Sequence, residues 1–312
     1  KYIKEKDETA WVEIKRKINY TYCNLGHALQ PVLLNGDLKD RITAEINAGK
    51  KLFFKPNLVT PVVLSLAGGG SPGSTTGVLA CTDWAFVAAL MRFFHDELGI
   101  RYYQMALGEA GACMPGYSAL IGCTPEALIE GTPRGDQAGS WAGWPFYFVR
   151  QYLGETTTQL DTNDDPMKGY DESITGTYIT PGEATSQGKL MVYDLNNAEL
   201  SNRGRLVNVP DGGDNYPEII IHKALVGDPD DLGNYPGSVL VNCPILKVHA
   251  LTTLTNAIKN LGIGAWPMRA GHDNNPSTYD WRYAYPPDDP PGIKGGVPGW
   301  KEGGVWKGHG LF

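Results

Sequence analysis

Segments with the pattern of buried strands alternate along this chain with segments that have the pattern of helices. The predicted strands of this alternation lie at residues 51–54, 102–107, 190–195 and 238–242. The predicted helices lie at residues 37–47, 82–98 and 145–153. Parallel neighbours in a sheet need a crossover connection, which is usually a helix. The alternation therefore predicts an α/β protein whose mostly parallel, Rossmann-like sheet carries helices on both faces.

The remaining segments surround or interrupt an α/β domain predicted at residues 36–267. Residues 1–35 show no clear period and are predicted to be an N-terminal arm or an edge hairpin. Residues 111–188, rich in Gly, Thr, Pro and Asp, are too long for a plain connection and are predicted to be a long irregular insertion or lid. Two strands within 205–226 are expected to form a hairpin. Residues 268–312 are predicted to be an irregular Gly/Pro/Trp-rich C-terminal tail.

The composition excludes several classes of partner. A net charge of −7 over 312 residues opposes binding to nucleic acid or to an anionic membrane surface. No apolar run approaches the ~20 residues that a membrane-spanning helix needs. We therefore expect a soluble protein. Because the chain starts at Lys1 rather than Met, we expect a processed N-terminus and export in preference to a cytoplasmic location.

The cysteines constrain cofactors. Five cysteines occur without a C-x-x-C pair, which predicts neither a zinc ribbon nor an iron–sulfur cluster. Mostly buried free thiols are expected, and a disulfide between Cys113 and Cys123 is the alternative in an exported protein. The sequence leaves other cofactors and any bound metal open.

Polar residues follow the ends of predicted strands at three places: Lys55 with Asn57, then Glu109, then Lys247 with His249. Parallel sheets bind ligands in the crevice beyond the carboxyl ends of their strands. Each group also has a structural interpretation, because a lysine that ends a strand is ordinarily exposed, a glutamate can cap a turn, and a lone histidine is more often a core residue. Their shared position favours a single site in which His249 and Glu109 transfer protons.

The region from Ser238 to Gly264 carries the strongest signal. Pro244 ends the strand, and a helix is predicted to start at Thr252 or Thr253. A helical wheel then separates two faces. The apolar face consists of Leu251, Leu254, Ala257, Ile258 and Leu261. The polar face consists of Thr252, Thr255, Asn256, Lys259 and Asn260.

The polar face of this helix is typical of a binding surface. Thr and Asn disfavour helices but are good hydrogen-bonding residues. Residues 233–271 contain no Asp or Glu, whereas Lys247, Lys259 and Arg269 lie there, and a positive helix N-terminus favours anions. A structural polar network that pins the strand to the helix is the alternative. The candidate ligand-binding residues are Lys55, Asn57, Lys247, Thr252, Thr255 and Asn260, and the candidate catalytic residues are His249, Lys259 and Glu109.

Three pieces of the sequence resemble proteins that contain the domain of unknown function 362. They are AGKKLFFKPNLV at 48–59, TDWAFVAALMRFFHDELGI at 82–100 with GEAG at 108–111, and VLVNCPILKVHALTTLTNAIKNLGIG at 239–264. The third resembles the most specific signature of the family, a strand followed by Pro-x-x-Lys-x-His, then Thr and Lys-Asn before Gly. The resemblance implies functional roles for Lys55, Pro56, Asn57, Glu109, Lys247, His249, Thr255, Lys259 and Asn260.

The chain departs from that family in two respects. Many members carry ferredoxin-like iron–sulfur segments, which associates the family with anaerobic redox metabolism, but none of those cysteine sets occurs here. Members also usually continue into a further strand–helix portion with a Gly-x-Gly-Pro turn, which this sequence lacks. We therefore expect no bound cluster, and either a chain that diverges from the family after Pro267 or an incomplete family domain.

Two functions are consistent with these patterns. The first is an enzyme that binds an anionic small molecule or cofactor in a cleft at the strand ends. The second is a non-enzymatic binding or assembly subunit of a larger complex, which the eight Trp, the sixteen Tyr and the Gly/Pro/Trp-rich tail favour. Association with a protein partner or with further copies of the chain is compatible with both.

Overall fold

The computed structural model describes residues 8–57, 82–110, 144–157, 163–171, 178–195, 198, 202–208, 218–249, 253–262, 265, 300–302 and 305–307. The cysteines at positions 81, 113 and 123 and most of the predicted C-terminal tail lie outside these residues. Among the helices that the structure describes, none is both long enough and apolar enough to cross a membrane.

Five described strands form one sheet in which every neighbouring pair is parallel. They are β1 (Lys51–Pro56), β2 (Met105–Glu109), β3 (Tyr170–Asp171), β4 (Met191–Asp194) and β7 (Ser238–Cys243). Their order across the sheet is β3-β4-β2-β1-β7. This parallel sheet confirms the α/β class. Residues before Met105 that were predicted as strand instead form a 3-10 turn, Tyr102–Gln104.

The other described strands pair in antiparallel ribbons outside this sheet. They are β5 (Gly204–Asn208) with β6 (Glu218–His222), β8 (Lys247–His249) with β9 (Thr253–Thr255), and β10 (Trp300–Glu302) with β11 (Val305–Lys307). The first ribbon confirms the predicted hairpin. Its second strand is shorter than predicted, because the chain turns into a helix at Lys223.

The described helices are α1 (Glu8–Leu29), α2 (Asp37–Asn47), α3 (Trp84–Leu98), α4 (Trp144–Thr156), α5 (Pro181–Ser186), α6 (Lys223–Val226) and α7 (Ala257–Gly262). The predicted end of α3 at Leu98 is confirmed, with Gly99 following at a φ of 71°. The helix starts two residues later than predicted, because the Asp83 carboxylate caps it by accepting a hydrogen bond from the Ala85 amide. A π-helical turn, Gln30–Leu34, joins α1 to α2.

Two layers of side chains cover the faces of the sheet. On one face, alternate residues of β1 such as Leu52 and Phe54 pack in one cluster with residues of α1, α2, α3 and α4. On the other face, Phe53 packs with Tyr193 of β4 and with small residues such as Ala184 of α5 and Ala224 of α6. Because successive residues of a strand point to opposite faces, a strand that is buried on both sides reads as a continuous apolar run.

The N-terminal segment is a helix, and the predicted edge hairpin is wrong. Helix α1 packs against α3, and its residues Trp11 and Ile18 are buried, with Trp11 stacked on Phe148 of α4. The buried and half-buried apolar positions of α1 recur every three or four residues: Trp11, Ile14, Ile18, Tyr22, Leu25 and Leu29. This is the spacing of an amphipathic helix, so the period was present in the sequence although the charged residues between these positions obscured it.

The described part of the predicted irregular insertion belongs to the core. Helix α4 lies against α3 and contributes Phe146, Val149 and Tyr152 to the buried cluster. Strand β3 pairs with β4 at the edge of the main sheet. These elements therefore complete the fold. The helix predicted at residues 145–153 is confirmed as α4, whereas strand β3 was not predicted. Residues 111–143, 158–162 and 172–177 of the insertion lie outside the described residues.

A histidine between two carboxylates ties the helical layer to the segment before β3. In α3, His95 lies 3.1 Å from Asp96 through Nδ1 and 3.3 Å from the buried Asp164 through Nε2, and its ring stacks on Tyr102. Asp96 also accepts hydrogen bonds from Tyr22 of α1 and Arg92. Burial by itself lowers the pKa of His95, but the hydrogen bonds to Asp164 and Asp96 outweigh burial, so the net pKa is raised.

We predict that this contact makes stability depend on pH. A histidine whose pKa is raised by folding contributes stability that is fully present below its unfolded pKa of about 6.5 and is lost as the pH rises through the folded pKa. His95→Gln should lower the free energy of unfolding by about 1–3 kcal/mol at pH 6, because Asp164 loses the nearer of its two charged partners, His95 and Arg101. The same substitution should lower the free energy of unfolding by less at pH 9.

Urea unfolding of both proteins at these pH values measures the difference. His27→Gln, at an exposed position on α1, is the control and should follow the wild type at both pH values. An effect of His95→Gln that is the same at pH 6 and pH 9 would contradict the charged contact.

Candidate functional site

The sheet has a crossover point between β1 and β7. The chain proceeds from β1 to β2 on one side, extends the sheet to β4, and returns to place β7 on the other side of β1. Connections that leave neighbouring strands in opposite directions open a crevice at the carboxyl ends of those strands. Here the two ends are level, because Pro56 pairs with Cys243 and Lys55 pairs with Asn242.

A buried ion pair lies at this crossover. The Lys55 side chain is 0% exposed and the Glu109 side chain 3% exposed, and Lys55 Nζ donates to Glu109 Oε2. Lys55 Nζ also donates to the carbonyl of Pro56 at 2.8 Å and to Oδ1 of Asn260 at 3.2 Å. An ammonium has three protons, so these acceptors satisfy it. Burial lowers the pKa of Lys55, and the Glu109 carboxylate opposes this shift.

Two asparagines attach helix α7 to the ends of the strands. Asn260 Nδ2 donates to the Lys55 carbonyl at 2.9 Å and to Asn242 Oδ1 at 2.7 Å. Asn242 Nδ2 in turn donates to the carbonyl of Ala257 at 3.1 Å. The helix is therefore held to β1 and β7 by side-chain amides, and Asn260 contacts both the backbone and the ammonium of Lys55.

Thr82 also links the end of β1 to the end of β7. Its hydroxyl accepts from the Asn57 amide at 2.8 Å and donates to the Cys243 carbonyl at 2.6 Å. Cys243 is buried, and burial raises the pKa of its thiol to about 12 although Lys55 acts in the opposite direction. A thiol with this pKa is protonated at neutral pH and is a poor nucleophile.

The structure brings three predicted site residues into one network: Lys55, Glu109 and Asn260. Asn57 is adjacent through Thr82. The backbone positions of Lys247 and His249 are in β8, that of Thr255 in β9 and that of Lys259 in α7. The side chains of these four residues, and all of Thr252, lie outside what the structure describes.

The register of the ribbon β8–β9 places several of these positions together. Lys247 pairs with Thr255 and His249 pairs with Thr253. Alternate residues of a strand lie on one face, so these four positions share one face of the ribbon, whereas Val248 and Leu254 share the other. The ribbon lies in sequence between the end of β7 and the start of α7, the two elements that the asparagines join.

The prediction that the helix starts at Thr252 or Thr253 is wrong. Residues Thr253–Thr255 form a strand, and α7 starts at Ala257. The predicted faces are also wrong at two positions, since Ile258 is 81% exposed and Asn260 is 5% exposed. The hydrogen bonds with Lys55 and Asn242 hold Asn260 on the buried face of the helix. Residues two positions apart lie on nearly opposite faces of a helix, so Ile258 is exposed.

Three residues of this region escaped the sequence analysis as site residues: Asn242, Thr82 and Asp194. Asn242 is the last residue of the predicted strand 238–242, and Asp194 lies near the end of the predicted strand 190–195, so the rule that selected Lys55 could have selected both. Asp194 is buried and pairs in register with Glu109. Thr82 precedes Asp83, the residue that caps α3, and no local pattern marks it as a site residue.

Comparison of the chain with models of known protein families, with curated proteins and with solved structures finds no match. The resemblance to the domain of unknown function 362 therefore stays a prediction. Within the described residues, no group of three or more His, Cys, Asp or Glu side chains is arranged to hold a metal ion.

The buried pair provides a direct prediction for stability. Glu109→Gln leaves the Lys55 ammonium buried without a counter-charge and should lower the free energy of unfolding by about 3–5 kcal/mol. Lys55→Met in the same chain removes that charge, so the double variant should be more stable than the sum of the single losses implies, with a coupling free energy of about 2 kcal/mol.

A surface pair of the same residue types supplies the control. Lys50 and Glu45 lie 2.6 Å apart, but both side chains are largely exposed. The cycle of Lys50→Met and Glu45→Gln should give a coupling below about 1 kcal/mol in the same urea titrations. Equal coupling in the two cycles would show that the Lys55–Glu109 contact is not a buried ion pair in solution.

Proposed function

We propose that this chain is an enzyme that binds a small anionic molecule in the crevice beyond the carboxyl ends of β1 and β7 and transfers a proton to or from it. The observation that carries the proposal is the buried contact of Lys55 with Glu109 and Asn260 at the crossover. A buried ion pair contributes little to stability compared with apolar residues of similar volume. Charged groups buried at a ligand-binding edge are characteristic of functional sites.

The charge of the neighbouring segment supports an anionic ligand. Lys247, His249 and Lys259 occur within the ribbon β8–β9 and α7, and residues 233–271 contain no Asp or Glu. Lys55 is already neutralised by Glu109, so it contributes no net attraction. In the proposal Lys247, Thr252, Thr255 and Lys259 hold the anion, and Asn57 contributes from the end of β1.

The proton-transfer roles belong to His249 and Glu109. A histidine changes its protonation state near neutral pH, which suits a general acid or base. Glu109 is the second group of the pair, and the hydrogen bond that Lys55 Nζ donates holds its carboxylate at the end of β2. Lys259 is the candidate for a further base or nucleophile if its amine is desolvated by the ligand.

A binding or assembly subunit without catalytic activity is the second candidate. Two large apolar side chains close to the crossover in sequence are exposed, Leu246 at 64% and Ile258 at 81%. Exposed apolar residues beside a polar site are typical of a surface that contacts another molecule. In this case the anion would be bound without turnover, and a protein partner would cover these residues.

Binding of simple anions tests the proposal. Titration calorimetry of the full chain with phosphate and with citrate should detect binding of at least one of them. Lys259→Gln and Lys247→Gln should each weaken that binding about tenfold, the loss expected for one charged hydrogen bond. Lys17→Gln on α1, a largely exposed lysine, is the control and should bind as the wild type does.

Two further readouts separate the candidates. Melting temperatures of the variants should stay within a few degrees of the wild type, because loss of the fold would indicate a structural network instead of a site. Proton NMR in deuterated water should show exchange of carbon-bound hydrogen of the bound citrate, and His249→Gln should stop it. Binding that depends on the lysines without exchange would favour the non-enzymatic subunit, and equal binding by all variants would reject the site.

A further inference from the structure

A cavity lies at the amino ends of β1 and β7, away from the candidate site at their carboxyl ends. It has a volume of about 490 Å³ and lies beside Lys50, which precedes β1, and Ser238, which begins β7. This volume is within the range of small-molecule sites in proteins. Leu240, the lining residue of β7 that comes nearest to the crossover, precedes Cys243 by three residues, a separation of about 10 Å along the strand. The cavity is therefore independent of the proposed function.

The lining combines apolar walls with a cation that lacks a partner. Leu225, Leu232 and Leu240 provide apolar surface. Two of the charged lining residues already have partners, because Lys50 pairs with Glu45 at 2.6 Å and Asp228 pairs with Lys223 at 2.7 Å. Arg205 makes neither a hydrogen bond nor an ion pair with any residue that the structure describes. It acts on Asp228 only through the longer-range field that helps to lower the pKa of that carboxyl.

The wall of the cavity is built by a tightly constrained turn. Gly227 and Gly237 have φ values of 77° and 83°, and a Cβ at Gly227 would lie 2.8 Å from the Cα of Gly237. The Ser238 hydroxyl donates to the Leu225 carbonyl at 2.6 Å, and the Asp228 amide donates to the Tyr235 carbonyl at 3.0 Å. These contacts fix the backbone around the cavity, so a ligand would meet a preformed shape.

We propose that this cavity binds a small carboxylate with an apolar body, the carboxylate against Arg205 and the body against the leucines. The planar guanidinium matches a carboxylate by two parallel hydrogen bonds. A phosphate is a poorer match, because Lys50 already has a partner and the remaining lining is mainly apolar. The charged end and the aliphatic end of the lining thus select an amphipathic anion.

Octanoate is a suitable probe, with 1-octanol, acetate and phosphate as comparisons. Saturation-transfer NMR and titration calorimetry of the full chain should show binding of octanoate. Acetate lacks the apolar body and 1-octanol lacks the carboxylate, so each should bind at least tenfold more weakly than octanoate. Arg205→Gln should weaken octanoate binding about tenfold or more. Arg41→Gln, at a largely exposed arginine of α2, should leave it unchanged.

Leu232→Ser removes apolar wall at a position that is 62% exposed and tolerant of change, and it should weaken octanoate binding severalfold without affecting the fold. Each of three results would overturn the proposal. They are absence of octanoate binding at millimolar concentration, equal affinity of the Arg205→Gln and Arg41→Gln variants, and phosphate or octanol binding as tightly as octanoate.

Discussion

The contact between Lys55 and Glu109 is the interaction on which the carboxyl edge of the sheet depends. It joins the ends of β1 and β2, and through Asn260 it includes α7. An ammonium in this position could not persist without acceptors for its protons, because the side chain has no access to water. Glu109, Asn260 and the Pro56 carbonyl thus act together as the acceptors that allow one charge to be buried.

A second lysine on the same strand shows why the carboxylate matters. Lys51 and Lys55 lie on the same face of β1, on either side of Phe53, and both are buried. Lys51 donates to the carbonyl of Tyr103, and burial lowers its pKa to about 7. Within the described residues it has no carboxylate in hydrogen-bond contact. Burial alone therefore favours a neutral amine at the amino end of β1, whereas an ion pair is retained at the carboxyl end, where parallel sheets bind ligands.

Local sequence patterns predicted the strands of the sheet and several helices, because the residues that define each of these elements are neighbours in the sequence. The cap at Asp83 and the stop at Gly99 define α3, and the apolar run 51–54 defines β1. Lys55 and Glu109, which follow or end predicted strands, were predicted to share one site, and their side chains are in contact. Helix α1 was missed because charged residues between its apolar positions obscured a regular period that was present.

The arrangement around Asn260 could not be predicted from local pattern. A helical wheel assigns an asparagine to the outer face and an isoleucine to the inner face, but hydrogen bonds to Lys55, 205 positions away, and to Asn242 reverse this assignment. Such contacts depend on which strands become neighbours in the sheet. The periodicity of a short segment carries no information about that strand order. The same reason explains why the bridge from Thr82 to Cys243 was missed.

The most direct measurement of the central claim is NMR detection of the Lys55 side-chain ammonium in ¹⁵N-labelled protein at neutral pH. A buried ammonium that donates to three acceptors should give a resolved signal whose protons exchange slowly with water, and Glu109→Gln should shift or abolish it. The buried Lys55–Glu109 ion pair requires this signal. A neutral amine at Lys55, or protons that exchange as fast as those of exposed lysines, would contradict it.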